Sequence, residues 1–232
     1  MQIILARTAG FCFGVDRAVS LVEQAVNEGK RVATLGPIIH NRHVIERFAA
    51  LGVREIDAPE EAEAGECVVI RSHGVSCAVY ERLAALDVEV VDATCPFVKK
   101  IHHIISAAKE KGQQPVIIGK RSHPEVQAIA GWCEDPLIFE TAEELSAWLQ
   151  NRANRTKIPI RMVSQTTSTQ NLWKKSCEAA KKECTNCEIF DTICKATEMR
   201  QKEATDLAKK CDAMVVVGDA RSSNTGRLAD IC

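Results

Sequence analysis

The sequence predicts an α/β protein with mostly parallel sheets, built as three pseudo-symmetric αβ units of which the third is incomplete. Three observations predict it. Short apolar runs alternate with segments of helical period. One pattern, running cysteine, helix, apolar strand, glycine and polar loop, occurs three times. The third occurrence breaks off: 39 residues run from Cys194 to Cys232, against 83 and 99 positions between the earlier repeat cysteines.

The candidate strands are Ile3–Ala6, Val32–Leu35, Val68–Ile70, Glu89–Val91, Val116–Ile118, Arg161–Val163, Glu188–Phe190 and Met214–Val217. Between them Ala18, Leu21, Val22 and Ala25 recur at helical spacing, as do Val98, Ile101 and Ile105. The repeats begin at Phe11, Thr94 and Ile193. Cys12 and His40 stand 28 positions apart, and so do Cys95 and His123, and Cys194 and Ser222. Gly36, Gly119 and Gly218 each stand four residues before the polar member of the pair. A second motif, Ile70-Arg71-Ser72-His73, matches Val163-Ser164-Gln165-Thr166 and makes His73 and Thr166 counterparts. These repeats divide the chain into 13–94, 95–193, and a partial third unit of 194–232 with 1–12. On this reading the chain is truncated, or it is the N-terminal part of something longer.

Composition narrows the function. A formal net charge of −1 gives no global attraction to nucleic acid or to an anionic membrane, and 4% aromatic residues argue against base stacking. No run approaches the ~20 apolar residues of a membrane helix, and no signal peptide opens the chain. Eleven cysteines, odd in number and widely spaced, fit a reducing cytoplasm.

Three αβ units around a pseudo-threefold axis would gather Cys12, Cys95 and Cys194 at the centre. Three thiolates suit a [4Fe–4S] cubane with one open iron site, and an open metal position acts as a Lewis acid. Each cysteine precedes a helix, where free N–H groups favour negative sulfur. Taken singly, each reads more readily as a buried structural thiol, and the shared register is what sets the three together apart. A competing group is Cys177, Cys184, Cys187 and Cys194, with Cys184 and Cys187 as a zinc or thiol redox pair. A further alternative is a non-catalytic cluster-binding chain.

The loops after the strands carry His40-Asn41, Ser72-His73, His123-Pro124-Glu125, Gln165-Thr166 and Ser222-Ser223-Asn224. Ligands bind at the carboxyl ends of parallel strands, and these groups suit a phosphate or diphosphate. Glu125 takes the place of Arg42 and Asn224. A carboxyl there is easily protonated and suits a proton donor, with Thr166 completing a hydroxyl relay. Ser222-Ser223-Asn224 also reads as a plain helix cap. His43, His102 and His103 lack repeat counterparts and read as surface or helix residues.

The motifs AGFCFGVDRAV, GPIIHN, IRSHG, DATCPFV, GKRSHPEV, SQTT, DTICKAT with RQ, and RSSNT occur in this order. Together they resemble the 4-hydroxy-3-methylbut-2-enyl diphosphate reductase family across essentially the whole chain. The resemblance implies three αβ domains around a central iron–sulfur cluster held by Cys12, Cys95 and Cys194. It implies reductive dehydroxylation of an allylic diphosphate to isopentenyl and dimethylallyl diphosphates, the last step of the non-mevalonate isoprenoid pathway. It assigns His40, His73, His123, Thr166, Ser222, Ser223 and Asn224 to the substrate, with Glu125, Thr166 and His123 as catalytic residues. It implies a ferredoxin or flavodoxin electron donor. The family has one further diphosphate serine, from a segment that would follow Cys232.

Overall fold

The computed structural model describes residues 2–151, 159–184 and 186–232. The protein is α/β, and its two four-stranded sheets are parallel throughout. The chain divides into two compact units. The first holds 1–72, 87–93 and 194–232, and the second holds 73–86 and 94–193.

In the first unit the helix α1 (Phe13–Asn27) leads to β1 (Val32–Leu35), α2 (Arg42–Ala50), β2 (Arg54–Ile56) and β3 (Cys67–Ile70). The helix α3 (Cys77–Ala84) counts with the second unit, and β4 (Glu89–Asp92) returns to the first. The sheet order is β2-β1-β3-β4. The central strands β1 and β3 are buried at every position, as expected of continuous apolar runs in a parallel sheet. Against them α1 lays Ala18, Val22 and Ala25, all at most 3% exposed and on one helical face.

The second unit repeats the plan. It holds α4 (Pro96–Ser106), β5 (Gln114–Ile118), α5 (Pro124–Ala130), β6 (Leu137–Phe139), α6 (Ala142–Asn151), β7 (Ile160–Ser164), α7 (Gln170–Glu183) and β8 (Cys187–Ile189). The sheet order is β6-β5-β7-β8. Ile101, Ile105, Ile117, Val126, Ile129 and Val163 form one buried cluster. Arg161 lies buried on the central strand β7. It donates to Gln113, to the Ile104 carbonyl and to Glu188, which satisfies a charge that burial would otherwise penalise.

The chain closes in the first unit with α8 (Lys195–Ala208) and α9 (Ser223–Ile231). Two expected strands do not form. Ile3–Ala6 and Met214–Val217 carry no strand, and Ile3, Leu5, Val215 and Val217 are between 82 and 90% exposed. A strand exists only with a ladder partner, and among the described residues neither run pairs. Conversely, β2 and β6 escape sequence reading. They are three-residue edge strands, too short for a period.

The register refines the second repeat motif. Leu35 pairs with Ile70, and Ile118 with Ser164. Counted from the strands, Arg71 is therefore the counterpart of Gln165. Counted back from the N-caps Ser76 and Thr169, His73 remains the counterpart of Thr166. The two loops differ in length by one residue, at Ser72.

Candidate active site

The three repeat cysteines have one local structure. Cys12, Cys95 and Cys194 are the N-caps of α1, α4 and α8, with extended ψ angles of 165°, 132° and 133°. Their carbonyls accept the first helical bonds, from Asp16, Lys99 and Glu198 N–H. None of the three side chains makes a capping bond, although an N-cap ordinarily uses its side chain that way. All three are partly exposed, and no cysteine forms a disulfide. Pro96 occupies the first helical position after Cys95, where a missing N–H costs nothing. Three partly exposed thiols at positive helix ends fit thiolate ligation of an iron–sulfur group.

In the second unit, His123, Glu125 and Thr166 form a bonded network. His123 caps α5, and its Nδ1 accepts the Glu125 N–H at 3.1 Å. With Nδ1 accepting, a neutral His123 carries its proton on Nε2 and donates from there. The Glu125 carboxylate accepts the Thr166 N–H on one oxygen and the Thr166 hydroxyl on the other, both at 2.6 Å. Glu125 is 3% exposed. Burial pushes its carboxyl above the ordinary range, and the two Thr166 bonds only partly offset this. The ring of His73 meets that of His123 edge-on, with centroids 5.5 Å apart.

Behind His73, Gly74 has a φ of +74°, and a Cβ there would stand 2.7 Å from the His102 ring. His102 is buried and stacks on Trp132 at 5.0 Å, so it is a packed support and not a surface residue. His103 and His43 are exposed. Gln165 lies over Gly119. Its Oε1 accepts the Lys120 N–H at 3.1 Å, and its Nε2 donates to Thr167.

In the first unit, His40 precedes Asn41, whose side chain caps α2 by accepting the Val44 N–H. Burial holds the His40 pKa down, the Arg221 and Arg71 charges add to this, and Asp219 opposes it. Ser222 caps α9 by accepting the Thr225 N–H, as the plain-cap reading expects. Ser223 and Asn224 begin the helix. Asn224 Oδ1 is buried without a hydrogen-bond partner among the described residues.

Sequence reading missed several participants here. Asp219 accepts the Arg42 N–H at 3.0 Å and pairs with Arg221, which holds its carboxyl at about 2. Arg71 lies against Gly36, where a Cβ would stand 2.3 Å from Nη1. Its position directly before Ser72-His73 was the available signal. Arg200 and Glu203 hold the segment before Cys12, and Arg200-Gln201 lies within the quoted motifs.

The competing cysteines read differently. Cys177, Cys184 and Cys187 are partly buried and pack against the core of the second unit. Burial pushes the Cys177 thiol up to about 11 and raises Cys187, against thiolate formation. Cys187 Sγ donates to the Cys184 carbonyl at 3.5 Å. Thr185, between them, lies outside the described residues. No helix among the described residues is long and apolar enough to cross a membrane.

Known proteins are similar to this chain as a whole. The family model described as LytB protein matches residues 3–232. A Caldanaerobacter subterraneus subsp. tengcongensis protein named 4-hydroxy-3-methylbut-2-enyl diphosphate reductase is 41% identical over 240 aligned positions. The match takes in 100% of this chain and 80% of that protein. A Geobacter metallireducens protein of the same name is 40% identical over 233, with the same coverage. A solved structure of (E)-4-hydroxy-3-methyl-but-2-enyl diphosphate reductase superposes with a TM-score of 0.75 at 36% identity, covering 99% of this chain and 81% of its own. The Plasmodium falciparum E-1-hydroxy-2-methyl-but-2-enyl-4-diphosphate reductase gives a TM-score of 0.88 at 26% identity, covering 96% and 70%. The chain belongs to the LytB protein family.

Proposed function

From this family membership and the site chemistry, we propose that the chain reduces (E)-4-hydroxy-3-methylbut-2-enyl diphosphate to isopentenyl and dimethylallyl diphosphates. This is the terminal step of non-mevalonate isoprenoid synthesis. Two electrons and two protons enter, the allylic C–O bond breaks, and water leaves. The observation that carries the reading is the buried Glu125 carboxyl with both oxygens on Thr166.

Cys12, Cys95 and Cys194 would hold one [4Fe–4S] cluster. When bound, such a cluster supplies electrons and one iron position open toward the substrate. The N-cap placement of all three thiols supports this ligand set. Burial raises the Glu125 carboxyl above its ordinary range, which suits it to take up a proton and to exchange it with the Thr166 hydroxyl bonded to it. His123, fixed as the Nε2–H tautomer, is a neutral donor. The reading assigns His40, His73, His123, Thr166, Ser222, Ser223 and Asn224 to the substrate. Histidines, hydroxyls and an amide can all donate to phosphate oxygens. It keeps the three-repeat division, with boundaries after 94 and 193. It expects a low-potential carrier of ferredoxin or flavodoxin type, in the cytoplasm.

The test is anaerobic purification followed by turnover with a reduced one-electron donor. A brown protein that consumes the allylic diphosphate is expected, with colour and turnover lost in Cys95→Ser. A colourless protein in which Cys95→Ser alters neither iron content nor turnover would sink the reading.

A further inference from the structure

Cys12 and Cys194 lie in the same unit, and each starts a helix. The chain before Cys12 has no ladder to fix it, because residues 2–6 form no strand. Five hydrogen bonds fix it instead, all from two residues one turn apart on α8. The Arg7 and Thr8 N–H groups donate to the two Glu203 carboxylate oxygens, each at 2.8 Å, and the Thr8 hydroxyl adds a third bond at 2.5 Å. Arg200 donates from Nε to the Thr8 carbonyl at 2.9 Å and from Nη2 to the Gly10 carbonyl at 2.7 Å. Gly10 has a φ of +99°, with nothing within 4 Å of a Cβ. Glycine is required there for the left-handed turn that presents its carbonyl, not for space.

Residues three apart on a helix share a face, so Arg200 and Glu203 act as one surface. Gly10 stands two residues before Cys12, and Arg200 stands six after Cys194, roughly 9 Å along the helix. We propose that Arg200 and Glu203 are positioning residues that clamp segment 7–10 to α8 and so set Cys12 relative to Cys194. The inference rests on the reading of these cysteines as cluster ligands. It assigns a role to the Arg200-Gln201 part of the repeat motif, which neither the substrate site nor the ligand set uses. The Glu203 carboxyl is held below its ordinary range, first by the Thr8 hydroxyl and then by the Arg7 and Thr8 amides. It therefore remains a charged acceptor through neutral pH, and such bonds are the stronger kind.

The experiment compares the full chain with Arg200→Met, Glu203→Gln and Arg200→Lys, and with Lys202→Met as an exposed control on the same helix. Hydrogen exchange on the metal-free protein reads the clamp itself. Residues 7–10 should exchange faster in Arg200→Met and Glu203→Gln than in the control. After anaerobic reconstitution with iron and sulfide, cluster loss to a chelator should be roughly 10- to 100-fold faster in those two variants, the usual cost of removing support behind a metal ligand. The paramagnetic signature of the reduced cluster should change with it. Arg200→Lys keeps one of the two carbonyl bonds and should fall between parent and Arg200→Met. Loss rates equal to those of Lys202→Met, with Cys194→Ser still losing its iron, would overturn the clamp alone. Full iron retention in Cys194→Ser would overturn the ligand reading and the clamp together.

Discussion

The two sheets share one plan and differ in what they place at their carboxyl ends. Both run 2-1-3-4 in parallel, and in both a strand-ending glycine lies under a long polar side chain from the same register position. Over Gly119 that side chain is Gln165, a neutral amide bonded at both ends. Over Gly36 it is Arg71, a cation whose Nε is buried without a hydrogen-bond partner among the described residues. Beyond the glycines the contrast continues. The second unit buries a carboxyl, Glu125, where the first has the exposed Arg42, paired with Glu46. One scaffold thus carries two chemistries. The second unit sets there a carboxyl whose pKa burial raises, and the first sets Arg71, with the Asp219–Arg221 ion pair close to His40.

The sharpest way to break this comparison is to exchange the proton holder for its isostere. Glu125→Gln keeps the shape and one acceptor but cannot give up a proton. Turnover should fall roughly 10²- to 10⁴-fold, the span for loss of a positioned acid. Arg42→Ala, at the equivalent position, should leave turnover unchanged. Equal losses in steady-state anaerobic assays would mean that the two positions do not differ in role.

Next come the glycine seats. In Gly119→Ala the new Cβ would meet Gln165 Cβ at 2.7 Å and Val126 Cγ2 at 2.9 Å. Overpacking of this kind costs about 1–3 kcal/mol. Trimming Gln165 to alanine should not rescue it, because the offending atom is Cβ. In Gly36→Ala the cost is about 1–2 kcal/mol for the left-handed backbone, with the clash against Arg71 added. Arg71→Ala should relieve the clash and leave the backbone strain. Urea unfolding of the two double mutants reads the difference, and full rescue at Gly36 would show that the φ of +70° carries no cost.

The smallest effects separate the units by pH. Glu125 has its folded pKa raised above the ordinary 4.5, so its contribution to stability is complete below that value. It is lost as pH rises through the folded pKa. Asp219 is depressed from 3.8 to about 2, so its contribution is present above 3.8 and lost as pH falls toward 2. Glu125→Gln should flatten the alkaline side of a stability profile, and Asp219→Asn the acid side. A change on the same side for both would contradict the assignment of opposite environments.

Much of this was legible in the chain itself. The 28-residue register located three cysteines that prove to be helix N-caps of one geometry, because the residue between a strand and a helix has a local conformation. The central strands β1, β3, β5 and β7 were legible because strands buried on both faces read as continuous apolar runs. The motifs in order pointed to the family that the match over residues 3–232 shows. Tertiary structure decided the rest. Ile3–Ala6 and Met214–Val217 are as apolar as any strand in the chain, yet pairing depends on a neighbour that no local pattern specifies. The Glu125–Thr166 bonds span 41 residues, and the seat of Arg71 over Gly36 depends on sheet register. The clamp on Cys12 joins residues 190 to 196 positions apart. The reason is physical. Backbone propensity and capping act within a turn of the residue, whereas burial, ladder pairing and the shift of a carboxyl's pKa depend on atoms that only folding brings near.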